Sequence, residues 1–222
     1  MSRTTASRRL RSDAARAARA ALEREQRARI LDATLSIASV AGYAEMSIAA
    51  ILAHADVQRR TFNAMFHGKE DAFLTAYGAV VRELTVMLAA VDDPAADPAA
   101  RVSTALAAAI AFLQADPVRA EIVALEVHAA GPNAVALLHD AVETLVDRTA
   151  ALLSGAGVAD ARPARLQAEL AVGALHDVLR SAVFRGELDR LPALVPDLTR
   201  TAFPALATER PSAVGVAALR PQ

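Results

Sequence analysis

Gln58, Arg59, Arg60, Thr61 and Asn63 fall within one short run, QRRTFNAMF, in a chain otherwise dominated by alanine, leucine, valine and arginine at helical spacing. Their side chains suit base edges: arginine makes paired hydrogen bonds to guanine, and asparagine or glutamine to adenine. Thr61, Ser47 and Lys69 add groups suited to phosphate oxygens. Lys69, the one lysine of the chain, opens a helical pattern, where free backbone N–H groups favour an anion. Taken alone, such a cluster is more often an ordinary solvated helix face. The elements that carry it must decide.

Phe62 and Phe66 are four residues apart, so they share a helix face and are predicted to pack on Ile48, Leu52 and Leu35. Ser47 is a suitable cap for a short helix over residues 48–54. Ala55-Asp56-Val57 breaks the pattern, and a second short helix fits residues 58–65. His67-Gly68 breaks it again. Two short helices joined by a three-residue turn have helix-turn-helix dimensions. A preceding helix over about 25–41, closed by Gly42 as a left-handed cap, would complete a three-helix core. The second short helix is then the one offered to a major groove. From Lys69 a longer helix is expected to about Val91, followed by the turn-rich DDPAADP at 92–98.

Charge distribution points the same way. The chain of 222 residues carries a net charge of −1, yet residues 1–30 hold nine arginines against Asp13, Glu23 and Glu25. That leaves +6 on the N-terminal segment and −7 on the rest. Residues 1–22 show no clear apolar stripe and are expected to form a flexible basic arm. Arg8, Arg9 and Arg11 are its densest charges. Arms of this kind can enter a minor groove and add salt-dependent affinity. Cysteine is absent, so disulfides and thiolate metal sites are excluded. The sequence has no signal-peptide pattern and no run of about 18 uncharged apolar residues. It reads as a cytoplasmic protein with no membrane partner.

With the spacing on the page, residues 26–77 resemble the DNA-binding domain of the TetR family of bacterial transcriptional regulators. The resemblance rests on Ile30-Leu31-Asp32-Ala33, Gly42-Tyr43, the Ser47-capped helix, Thr61-Phe62-Asn63-Ala64-Met65-Phe66 and Lys69-Glu70. Three positions depart from the family pattern. Asp56 replaces a usual glycine, Gln58 a usual serine or threonine cap, and Asn63 a usual phosphate-contacting tyrosine. Asp tolerates the left-handed backbone that such a turn needs. Gln is a poor cap, and Asn is shorter than Tyr.

The fold expected is all-α, with about nine helices. Residues 1–22 would be the arm, 23–91 the DNA-binding domain with its connecting helix, 98–207 an effector-binding and dimerisation domain, and 208–222 a flexible tail. Helices are expected at about 99–115, 117–129, 133–153, 163–185 and 189–207, with Pro192, Pro196 and Pro204 near turns or the helix start. The resemblance implies that the last two long helices pair with their copies in a homodimer and that the domain holds a small-molecule effector. Leu166, Leu170, Leu175, Val178, Leu179 and Val183 belong to an apolar stripe wider than one neighbouring helix needs, and are the expected dimer contacts. Glu126, His128 and His176 are the candidate ligand-binding groups. No cofactor is implied. No metal-ligand spacing and no catalytic constellation stands out, so an enzyme is not expected. The function implied is a ligand-responsive repressor binding a palindromic double-stranded DNA operator as a dimer. The alternative is a helical dimerisation protein with lost or altered DNA binding.

Overall fold

The computed structural model describes residues 2–157 and 161–207. Among them there are helices and no strands. In chain order they are α1 (Ser2–Ala41), α2 (Ile48–Ala55), α3 (Arg59–Met65), α4 (Lys69–Ala90), α5 (Pro98–Ala115), α6 (117–129), α7 (Pro132–Gly155), α8 (Ala161–Arg185) and α9 (Leu191–Ala202). A single turn, Pro204–Ala207, follows. The expected tail lies outside the described residues.

Helix starts and stops follow local chemistry. Ser47 Oγ accepts from the Ala50 N–H at the start of α2. Asp97 and Asp116 do the same for α5 and α6, and proline occupies the first turn of α5, α6 and α7. Gly42 closes α1 with φ +82°, a conformation that side-chain-bearing residues rarely adopt. The first helix begins at Ser2, well before the expected start near residue 25. No glycine or proline interrupts residues 2–41, and alanine and arginine are strong helix formers. Pro196 also differs from expectation: it sits inside α9 rather than at its edge.

Three apolar clusters hold the helices together. The first joins α1 to α4 through Ile30, Ala38, Ile51, Phe62, Phe66, Phe73 and Tyr77, and extends to Ile122 and Val127 of α6. The N-terminal four helices and the C-terminal segment therefore share one core. The second and third clusters lie between α5, α7, α8 and α9. Two helices, Lys69–Ala90 and Pro98–Ala115, are by length and composition apolar enough to span a membrane, although each carries charged residues. Here α4 instead buries Phe73, Ala76, Tyr77 and Val80 against its neighbours, and α5 buries Leu106, Ile110 and Leu113.

Candidate functional site

The aromatic pair positions the polar run. Phe62 and Phe66 are buried, with ring centroids 5.5 Å apart. They pack with Leu35, Ile48 and Leu52, as their spacing predicts. Arg27 of α1 stacks its guanidinium 4.7 Å from the Phe66 ring. With that face inward, α3 turns Gln58, Arg59, Arg60 and Asn63 to solvent, and Thr61 is half-buried. Among the described residues no side chain or carbonyl holds Arg59 or Arg60, and both are exposed. Ser47 is exposed beside them; its oxygen is used for capping while its O–H stays available. The side chains of Arg8, Arg9 and Arg11 lie outside the described residues.

Lys69 does something other than expected. Its Nζ donates to the carbonyls of Tyr43, Ala44 and Met46 at 3.1, 3.1 and 3.0 Å and lies 4.8 Å from the Tyr43 ring centre. All three ammonium protons are committed to the turn between α1 and α2. Lys69 is a clamp on the helix-turn-helix, with no donor left for phosphate. The physical reason is geometric: Gly42 reverses the chain so that three carbonyls converge on the start of α4.

Glu126 also departs from its expected role. Its Oε2 accepts the Tyr43 backbone N–H at 2.7 Å, so it grips the same turn from the C-terminal side. Ser39 Oγ donates to Glu121 one turn away. These two carboxylates lie on one face because residues Ile122–Glu126 form a π turn, with the Val127 N–H bonded to Ile122 O. In an α-helix a five-residue separation would turn them about 140° apart. Asn133 Nδ2 of α7 donates to Glu70 Oε1 at 2.8 Å, a further bond between the two halves.

The other side of the π turn faces a cavity of about 210 Å³ between α4, α5, α6, α7 and α8. Val123 and Ala124 line it, with Leu88, Leu106, Val142 and Leu175 among the opposing walls. His176 lines it too, and its Nε2 is buried without a hydrogen-bond partner among the described residues. Burial, then the charges of His128 and Arg180, hold the His176 imidazole below its usual pKa, against the pull of Asp177. His128 is exposed and outside the lining. Of the three ligand candidates, only His176 reaches the cavity. The sequence reading missed Arg180 and Thr149, the other polar lining residues; only their place one helical turn from apolar lining positions could have pointed to them.

The stripe on α8 divides in two. Leu175 and Leu179 line the cavity, and Val178 packs half-buried on the third cluster. Val183 is half-buried. Leu166 and Leu170 are 57% and 67% exposed, and Phe184 is 76% exposed. The open apolar face is thus carried by Leu166, Leu170 and Phe184.

Residues 30–76 match the family model described as bacterial regulatory proteins, tetR family. The N-terminal domain belongs to that family. No curated protein matches the chain. Among solved structures, the chain is similar to the fatty acid degradation regulator FadR from Bacillus halodurans, at TM-score 0.70 and 18% identity, covering 80% of this chain and 94% of that one. It is also similar to a TetR-like transcriptional regulator from Rhodococcus sp. RHA1, at TM-score 0.67 and 23% identity, covering 83% and 97%. A third is the regulator FadR from Bacillus subtilis in complex with stearoyl-CoA, at TM-score 0.70 and 15% identity, covering 78% and 96%. These likenesses extend the shared fold across the C-terminal helices.

Within this TetR-type domain, two of the three sequence departures have a visible outcome. Asp56 takes the left-handed conformation, at φ 51° and ψ 54°, as the cap of α2. The turn is kept without glycine, at a cost of about 1 kcal/mol. Gln58 makes no side-chain capping bond, and α3 begins only at Arg59, too late for Asp56 to substitute. Asn63 is exposed on the presented face.

Proposed function

We propose that this protein is a cytoplasmic, ligand-responsive transcriptional repressor that binds a palindromic DNA operator as a homodimer. The observation that carries the reading is the exposure of Gln58, Arg59, Arg60 and Asn63 on a helix anchored by Phe62 and Phe66. Base-edge donors on a rigidly seated helix are what major-groove readout requires. The family membership of residues 30–76 supports it. The exposed Leu166, Leu170 and Phe184 supply a self-complementary face for a twofold dimer, which spaces two recognition helices over successive grooves.

Effector response follows from the π turn. Val123 and Ala124 touch the cavity while Glu126 holds the Tyr43 amide. A ligand that displaces the first pair shifts the second contact, and with it the turn on which α2 and α3 hang. The shift is bounded by the ligand's differential affinity for the two arrangements. The FadR of Bacillus subtilis was solved with stearoyl-CoA, and the apolar lining here agrees with an effector that is lipophilic in part.

The test is binding of the purified protein to a fluorescent duplex from upstream of its own gene, at two salt concentrations. The wild type is expected to bind and to weaken steeply with salt. The Arg59→Ala/Arg60→Ala variant is expected to lose that binding. Dimerisation without DNA affinity would leave a helical scaffold instead.

A further inference from the structure

The cavity lining carries its own statement about ligand chemistry. Of its polar members, Arg180 is ion-paired with Asp177, Nε and Nη2 both donating to Oδ1, at 3.1 and 2.7 Å. His176 is not paired, since its Nε2 is buried and unpartnered among the described residues. The remaining wall is aliphatic apart from Thr149 and Phe203. We propose that the cavity takes an uncharged, lipophilic alcohol whose hydroxyl hydrogen-bonds His176 Nε2. The proposal deepens the effector reading above and depends on it only for the consequence on DNA.

Three features select this class. An ionised head group would have to leave water for a site whose one nearby guanidinium is paired, and an unpaired buried charge is strongly disfavoured. A pure hydrocarbon would leave Nε2 without a partner, as it is in the empty cavity. A hydroxyl is donor and acceptor at once, so it satisfies Nε2 in either imidazole tautomer, whereas a ketone satisfies only the protonated one. Size is limited as well. At about 30 Å³ per water-sized group, 210 Å³ holds a chain of about seven such groups.

The experiment uses the full-length protein and three probes of one chain length, matched to that size: 1-hexanol, hexane and hexanoate. Binding is measured by calorimetry and by the melting temperature. Hexanol is expected to bind roughly tenfold tighter than hexane, the worth of satisfying one buried polar atom, and tighter than hexanoate. His176→Leu is expected to bring hexanol down to hexane while hexane still binds. His176→Gln, which keeps a hydrogen-bonding group, is expected to retain part of the preference. Hexanoate binding as tightly as hexanol would overturn the proposal and make Arg180 the anchor of an acid. A hexanol-to-hexane ratio near unity in the wild type would also overturn it, whatever the fate of the variants, as would the absence of binding by all three. Release of operator DNA is read separately. Hexanol that binds with the expected preference yet leaves DNA affinity unchanged would sink the effector reading and spare this one.

Discussion

The Glu126 carboxylate accepts the Tyr43 backbone N–H at 2.7 Å, across 83 residues of sequence, and it does so from the π turn whose Val123 and Ala124 line the cavity. Tyr43 is held from the opposite side by Lys69 on its carbonyl. One peptide turn is therefore fixed by one group from the N-terminal helices, Lys69 of α4, and one from the C-terminal helices, Glu126 of α6. Glu126→Ala leaves the amide without its partner, and about 1–3 kcal/mol of stability should be lost. Glu126→Gln retains an acceptor and should lose less. The informative readout is coupling: in both variants the ligand should still bind the cavity, but the change in DNA affinity on ligand addition should shrink. Calorimetry and DNA titration on the same samples separate the two. A variant that responds to ligand as the wild type does would exclude this bond from the relay.

Lys69 gives a prediction opposite to the one its position in the sequence invites. A phosphate-contacting lysine, when removed, lowers the salt dependence of DNA binding by about one unit of slope. Lys69 instead spends its donors on Tyr43, Ala44 and Met46. Lys69→Ala should leave the salt slope unchanged and reduce the melting temperature, by about 2–4 °C for each kcal/mol lost. Loss of slope at unchanged stability would return Lys69 to the interface.

His176 predicts a pH effect with a definite sign. Burial, together with the charges of His128 and Arg180, lowers its folded-state pKa, and Asp177 only partly opposes them. Between that lowered value and the ordinary value of about 6.5, the unfolded chain binds the extra proton. Stability from this group is thus fully present above about pH 6.5 and is lost as the pH falls through the window. The wild type should lose more melting temperature than His176→Leu between about pH 7.5 and about pH 5.5. Equal losses would mean that the imidazole is no less basic folded than unfolded.

What the sequence made legible was what depends on local spacing. The four-residue separation of Phe62 and Phe66 oriented α3, Ser47 marked the start of α2, and Asp56 was compatible with its left-handed turn. Gly42 marked the end of α1. What depends on long-range placement was not legible. Helical periodicity at 3.6 residues puts Glu121 and Glu126 on different faces, and only the π turn aligns them. Lys69 reads as an anion-binding residue until the chain reversal at Gly42 brings three carbonyls to it. The N-terminal helix extends back to Ser2 although its first half carries no apolar stripe, because uninterrupted alanine and arginine favour helix by themselves. Arg180 and Thr149 count only as lining of a cavity that five helices enclose.

The α8 stripe shows the same limit, and it yields a test of assembly. Periodicity placed Leu166, Leu170, Leu175, Val178, Leu179 and Val183 in one class, but burial separates them. Leu170 is 67% exposed, while Leu175 is half-buried against two clusters of its own chain. A charge at the first position is costly only if a second subunit covers it. A charge at the second is costly in any state. Leu170→Glu should therefore give a folded monomer by sedimentation, with helicity preserved and DNA binding reduced through loss of the paired half-sites. Leu175→Glu should destabilise the fold itself, by on the order of 3 kcal/mol, through an unpaired charge in an apolar interior. Phe184→Glu, on the same exposed side, should behave as Leu170→Glu does. If Leu170→Glu and Phe184→Glu both remain dimers with wild-type affinity, the subunits meet elsewhere and the exposed face of α8 is not the seam.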